Sequence, residues 1–131
     1  MKPLWQSREQ AEDTVERLRK FGQPLRLMIL SLLLQGEKSV SEIGMATGIG
    51  QPGLSQQLAE LRRAELVTTR RQAKQVFYTI ADEHVELTVR GIEALFGAGD
   101  PRVALHLGMK PREARPRSDS VAGAANFVRI R

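Results

Sequence analysis

Cysteine is absent from all 131 residues, which excludes a disulfide framework, a thiolate metal site, a cysteine nucleophile and a thiol redox switch. Histidine is scarce, with two in the chain. No Ser/His/Asp set, glycine-rich phosphate loop or carboxylate pair at workable spacing appears, and these absences argue against an enzyme. Long apolar runs are missing as well. The longest, Leu27 to Leu34, is interrupted by Ser31 and falls far short of the roughly 20 residues that span a bilayer. Met1-Lys2-Pro3-Leu4-Trp5 runs straight into charged residues without the apolar core of a secretory signal, so a cytoplasmic protein with no membrane partner is expected. The length fits one domain with something left over, not two domains with separate cores. With 41% apolar and 27% charged residues, most of the chain is expected to fold.

What is present is an uneven distribution of charge. The net charge is +5, yet residues 1–96 carry 13 basic and 12 acidic side chains, whereas 97–131 carry seven basic and three acidic. Within the first part, residues 51–81 hold Arg62, Arg63, Arg70, Arg71 and Lys74 against Glu60 and Glu65. Residues 82–96 hold Arg90 against Asp82, Glu83, Glu86 and Glu93. A local basic block beside an acidic one is the footprint of a surface that meets polyphosphate.

Periodicity supplies the elements. A helix is expected from Trp5 to Lys20, with Ala11, Val15 and Leu18 at helical spacing, ended by Gly22. Pro24 opens a second, central helix whose stripe is Leu25, Met28, Leu32, Ile29 and Leu33, stopping at Gly36. Ser41 precedes a two-turn helix over Glu42–Thr47, closed by Gly48, with a turn through Gly50. Pro52 opens the next helix, which buries Leu54, Leu58 and Leu61 and ends near Glu65. Val67–Arg70 and Val76–Ile80 read as a β-hairpin, and the glycine-free tip Gln72-Ala73-Lys74 favours a loop longer than two residues. Asp82 caps a last helix with Val85, Val89, Ile92 and Phe96 along one side. From Gly97 the chain is read as a basic, largely irregular tail, with one short strand at Asn126 to Ile130. The fold class is therefore mainly α (α+β): about five helices and a two-stranded β-wing over residues 1–96, the order of a winged helix-turn-helix.

At 100° per residue, turning Leu54, Leu58 and Leu61 inward points Pro52, Gln56, Ala59 and Arg63 outward. Ser55 and Arg62 fall on one flank and Gln57 on the other. Gln and Ser can donate and accept at base edges, Ala admits close approach or a thymine methyl, and Arg reaches guanine or phosphate. With Gln51 at the helix entry, and Arg70, Arg71 and Lys74 on the hairpin for phosphates or the minor groove, these are the candidate DNA-binding residues. A solvated helix face is the plain alternative. A winged helix that binds protein rather than DNA shares the pattern; it would show little salt dependence and no loss on changing Gln56 or Arg63.

The run Leu54-Ser55-Gln56-Gln57-Leu58-Ala59-Glu60-Leu61-Arg62-Arg63-Ala64-Glu65-Leu66-Val67 resembles the recognition helix of the ArsR/SmtB family of bacterial transcriptional repressors. Arg70-Arg71-Gln72-Ala73-Lys74-Gln75-Val76-Phe77-Tyr78-Thr79-Ile80 is similar to that family's wing, and Phe21-Gly22-Gln23-Pro24-Leu25-Arg26-Leu27-Met28-Ile29-Leu30 to the opening of its second helix. The similarity covers roughly residues 15–96. It implies a homodimeric repressor on a palindromic double-stranded operator. It also implies pairing through the first and last helices, here the stripes Trp5, Val15, Leu18 and Val89, Ile92, Phe96, unless those only close the subunit's own core. Glu65 and Ala73 stand where the family usually has glycine, which leaves the wing's shape open.

The resemblance also bears on sensing. Family members that sense soft metals use cysteines near the short helix, but Ser39, Val40 and Ser41 occupy that region, so thiolate metal and persulfide sensing are excluded. Another family site needs Asp-x-His with a later His and Glu; Asp82 and His84 match, but Leu95 and Ala98 stand at the later positions. Two ligands do not fill zinc's four-coordinate shell, so no metal and no cofactor is expected and His84 is read as a polar residue at a helix start. The remaining effectors are a small organic molecule, a protein partner, or none.

Overall fold

The computed structural model describes residues 2–97 and Arg102. The tail beyond Gly97, Arg102 excepted, and the strand expected at 126–130 lie outside the described residues. A 3₁₀ turn, Leu4–Gln6, leads into α1 (Arg8–Arg19), α2 (Pro24–Leu33), β1 (Lys38–Ser39), α3 (Val40–Thr47), α4 (Gly53–Arg63), β2 (Val67–Gln72), β3 (Gln75–Ile80) and α5 (Glu83–Phe96). The three strands form one antiparallel sheet in the order β1-β3-β2.

Helix ends follow capping chemistry, and three differ from the sequence reading. The first helix does not start at Trp5. Ser7 is extended and its Oγ accepts from the Gln10 amide at 3.1 Å, so the helix begins one residue later and the preceding turn is 3₁₀. The cap of α3 is Ser39, not Ser41. The Ser39 Oγ accepts from the Glu42 amide at 3.1 Å, and the Glu42 carboxylate accepts from the Ser39 amide at 2.8 Å, a reciprocal capping box. Pro24 sits in the first turn of α2, Gly48 closes α3 at φ 76°, and the Asp82 carboxylate caps α5 through the Val85 amide at 2.9 Å, all as the sequence suggests. Pro52 stands one position earlier than read, as the N-cap of α4.

The core lies where α2, α3, α4, α5 and the sheet meet. It is made of Phe21, Ile29, Leu30, Leu33, Ile43, Leu54, Leu58, Leu61, Leu66, Val67, Tyr78, Val85 and Val89. On α2 the buried residues are Ile29, Leu30 and Leu33; Met28, placed in the stripe by spacing, is exposed. Each fully buried aliphatic side chain contributes about 1.5–3 kcal/mol through removal from water. The helix-turn-helix is tight because Gly44 of α3 faces Leu54 of α4: a Cβ there would lie 3.3 Å from Leu54 Cδ2.

The sheet departs from expectation twice. It has a third strand, because Lys38 and Ser39 pair with Tyr78 and Phe77. A two-residue strand leaves no period to read. The wing tip is also shorter than expected: Gln72 pairs with Gln75, leaving only Ala73 and Lys74 in the turn. Ala73 has φ 57°, and Glu65 after α4 has φ 62°. These are the two positions where glycine would be the ordinary choice. At Glu65 the Leu66 amide donates to the Leu61 carbonyl at 3.0 Å and the Glu65 amide to the Arg62 carbonyl at 2.9 Å, a Schellman closure. Strand pairing and helix closure outweigh the roughly 1–2 kcal/mol cost of a left-handed residue.

Candidate nucleic-acid interface

Helix α4 presents its polar side outward because Leu54, Leu58 and Leu61 anchor the other side in the core. Gln51, Pro52, Ser55, Gln56, Arg62 and Arg63 are exposed and Ala59 is half-buried. Gln51 acts locally, at the start of its own helix. Its Oε1 accepts from the Ser55 amide at 3.2 Å and from the Ser55 hydroxyl at 2.6 Å, supplying the cap that Pro52 lacks. Gln57 is not on the outer face. It is half-buried with its amide oxygen inside the protein, since three residues of helix leave it only about 60° from Leu54.

Arg26 of α2 orients α4 from behind. Its side chain, 15% exposed, donates from Nη2 to Glu60 Oε1 at 2.7 Å and from Nη1 to the Lys20 carbonyl at 2.9 Å. Sequence reasoning leaves Arg26 and Glu60 out of the site, since the two are 34 residues apart and only the fold joins them.

On the wing, neighbouring arginines differ. Arg71 and Lys74 are exposed, and like Arg62 and Arg63 they have no ion-pair partner among the described residues. Arg70 is engaged. It grips the Glu37 carboxylate with Nε and Nη2, both at 2.7 Å, donates from Nη1 to Gln72 Oε1 at 2.7 Å, and lies 4.6 Å over the Phe77 ring. The hydrogen bond from Arg70 holds the Glu37 carboxyl below the usual carboxylate range, and Glu37 in turn raises the Arg70 guanidinium.

The second candidate surface is apolar. Helix α1 has no buried residue, and Val15 and Leu18 on its stripe are exposed, as are Leu4 and Trp5 before it, Trp5 at 83%. Phe96 on α5 is 80% exposed. Two expected interface residues are engaged, wholly or in part, within the subunit itself. Val89 is 1% exposed within the subunit's own core, and Ile92 packs against that core, because the stripe begun at Val85 faces α2 until the helix runs past the body at Phe96. Leu87 and Met28 are also exposed apolar residues. On α5, His84 is exposed, Asp82 is committed to its cap, and Glu93 receives the Ser31 hydroxyl.

A profile described as "Bacterial regulatory protein, arsR family" matches residues 23–69, spanning α2 to β2. The chain is 41% identical over 96 residues to a "Biofilm growth-associated repressor" of Agrobacterium fabrum, covering 73% of this chain and 82% of that protein. It is 36% identical over 93 residues to "Transcriptional activator HlyU" of Vibrio cholerae, covering 71% of this chain and 86% of that protein. A solved structure from Mycobacterium bovis, described as a homodimeric winged helix-turn-helix DNA-binding domain, superposes with a TM-score of 0.59 at 32% identity, covering 67% of this chain and 82% of that one. The described elements superpose on that winged helix-turn-helix, and the chain belongs to the arsR family of bacterial regulatory proteins as a transcriptional regulator.

Proposed function

We propose that the protein is a homodimeric repressor of the cytoplasm that reads a palindromic DNA operator, with α4 of each subunit in a major groove and the wing on the flanking backbone. The observation that carries this reading is the set of cations without an ion-pair partner among the described residues, Arg62, Arg63, Arg71 and Lys74, beside the exposed Gln56 on a helix held from behind by Arg26. Gln56 and Arg63 read base edges, and Arg62, Arg71 and Lys74 meet phosphates. Gln51, Pro52, Ser55 and Ala59 line the entry and the approach face of α4. Two copies place two recognition helices about one helical turn of DNA apart, which suits half-sites related by a two-fold axis. The homodimeric mycobacterial neighbour supports that arrangement, and the uncovered stripe of α1 gives it a physical reason. No catalytic role is assigned. Without cysteine, the effector is a small organic molecule or a protein, if the protein answers to one at all.

Fluorescence anisotropy with the DNA upstream of the protein's own gene and a scrambled duplex, each at two salt concentrations, tests the reading. Selective nanomolar binding that is lost in Gln56→Ala and Arg63→Ala is the expected result. Equal, weak binding to both duplexes, unaltered in the two variants, would leave a wrong operator or a protein-binding winged helix, and binding to a protein partner would decide for the second.

A further inference from the structure

Arg70 lies on the basic wing, yet its guanidinium is already engaged within the protein. It sits over Phe77 on the central strand and takes hold of Glu37, the residue that precedes β1. Phe77 pairs with Arg70 on one side and with Ser39 on the other, so the ion pair spans the sheet from its outer strand β2 to the entrance of β1. Ser39 is at once the last residue of β1 and the N-cap of α3. The contact therefore links the wing to the start of the helix-turn-helix. A bidentate guanidinium–carboxylate pair fixes direction as well as distance, and the aromatic face beneath it restricts the remaining rotation.

We propose that Glu37 and Arg70 form a brace that sets the wing's direction relative to the helix-turn-helix, that Glu37 is a positioning residue for operator binding, and that Arg70 does not contact DNA. The proposal rests on the DNA-binding reading given above. To meet a phosphate, Arg70 would have to give up two charge-assisted hydrogen bonds and its stack on Phe77, and would leave the Glu37 carboxylate bare beside a polyanion. Exchanging one anion for another gains little, and the exposed carboxylate then repels the DNA. Arg71 and Lys74, which have no such partner among the described residues, are the wing's phosphate contacts.

The test is operator affinity against salt for wild type, Glu37→Gln, Arg70→Lys, Arg70→Gln and the Glu37→Gln/Arg70→Gln double variant, with thermal unfolding of each. If the pair is a brace, each single variant weakens operator binding by about five- to tenfold and the double is no weaker than its singles, because both remove the same contact. Lysine does not rescue, since it keeps the charge but not the fork. The slope of log affinity on log salt stays at the wild-type value, as no phosphate contact has been lost. The proposal is overturned if Glu37→Gln tightens binding, or if Arg70→Lys matches wild type while Arg70→Gln lowers the slope by about one, either of which makes Arg70 a phosphate contact. It is equally overturned if all variants bind as wild type and only their melting temperatures move. Should wild type itself fail to prefer the operator, the DNA-binding reading fails first, and that outcome is seen before any variant is compared.

Discussion

Two surfaces of this subunit are incomplete, and they are incomplete in opposite ways. The face built by α4 and the wing shows cations without counter-charges: Arg62, Arg63, Arg71 and Lys74 have no ion-pair partner among the described residues, although Arg26 and Arg70 nearby are both paired. The stripe of α1 shows exposed apolar side chains, Trp5, Val15 and Leu18, along a helix with no buried residue among the described residues. Charges exposed on a rigid frame are satisfied by a polyanion, and an uncovered apolar stripe by another apolar surface. On the function proposed above, DNA completes the first surface and a second copy the other.

The largest effects come from breaking the apolar side. Leu18→Glu places a charge in the stripe, and sedimentation should show monomers. Operator affinity should then fall by at least about 100-fold, since one recognition helix reads only a half-site. The circular dichroism spectrum should be retained, because Leu18 lies outside the core. Arg63→Ala on the polar side should cost about 1–3 kcal/mol of operator binding with relaxed sequence preference, while Arg71→Gln or Lys74→Gln should weaken all duplexes alike and lower the salt slope by about one each. Smaller still, Glu65→Gly should raise thermal stability by about 1 kcal/mol by relieving a left-handed residue, with DNA affinity unchanged. Ala73→Gly, at the other positive φ, should act in the same direction.

The smallest expected effect concerns pH. The folded-state pKa of Glu37 is lowered by the hydrogen bond from Arg70, so the stability contributed by this pair is fully present above the ordinary carboxylate range and lost as pH falls through the lowered folded value. The pair is solvent-exposed and screened, so acid unfolding of wild type and Glu37→Gln should differ only slightly, with wild type the more acid-sensitive of the two.

Much of the architecture can be read from residue spacing alone. Leu54, Leu58 and Leu61 mark the buried side of α4 and so define its outer side, and Asp82 and Gly48 mark helix ends by capping chemistry that is local in sequence. What stays hidden falls into two physical kinds. One is local chemistry with competing signals: Ser39 and Ser41 both precede a helical pattern, and only the Ser39-x-x-Glu42 reciprocity separates them. The other depends on parts of the chain that only the fold joins. Glu37 and Arg70 are 33 residues apart, as nearly are Arg26 and Glu60, and no period in the sequence announces that an arginine on the wing is already held. Val89 shows the same limit, because spacing places it on a stripe but cannot say whether that stripe meets the core or a partner. The wing tip is hard to read for an energetic reason: continuous strand pairing up to Gln72 and Gln75 forces Ala73 into a conformation that its side chain disfavours.

Whether both surfaces are completed together is tested most directly by the mass of the protein–DNA complex on a duplex carrying the operator, measured with a hydroxyl-radical footprint of the same complex. Two chains per duplex and two protected patches about one helical turn apart are expected, both lost together in Leu18→Glu. One chain per duplex with a single protected patch, unchanged in that variant, would refute the idea of a subunit finished by DNA and by its own copy.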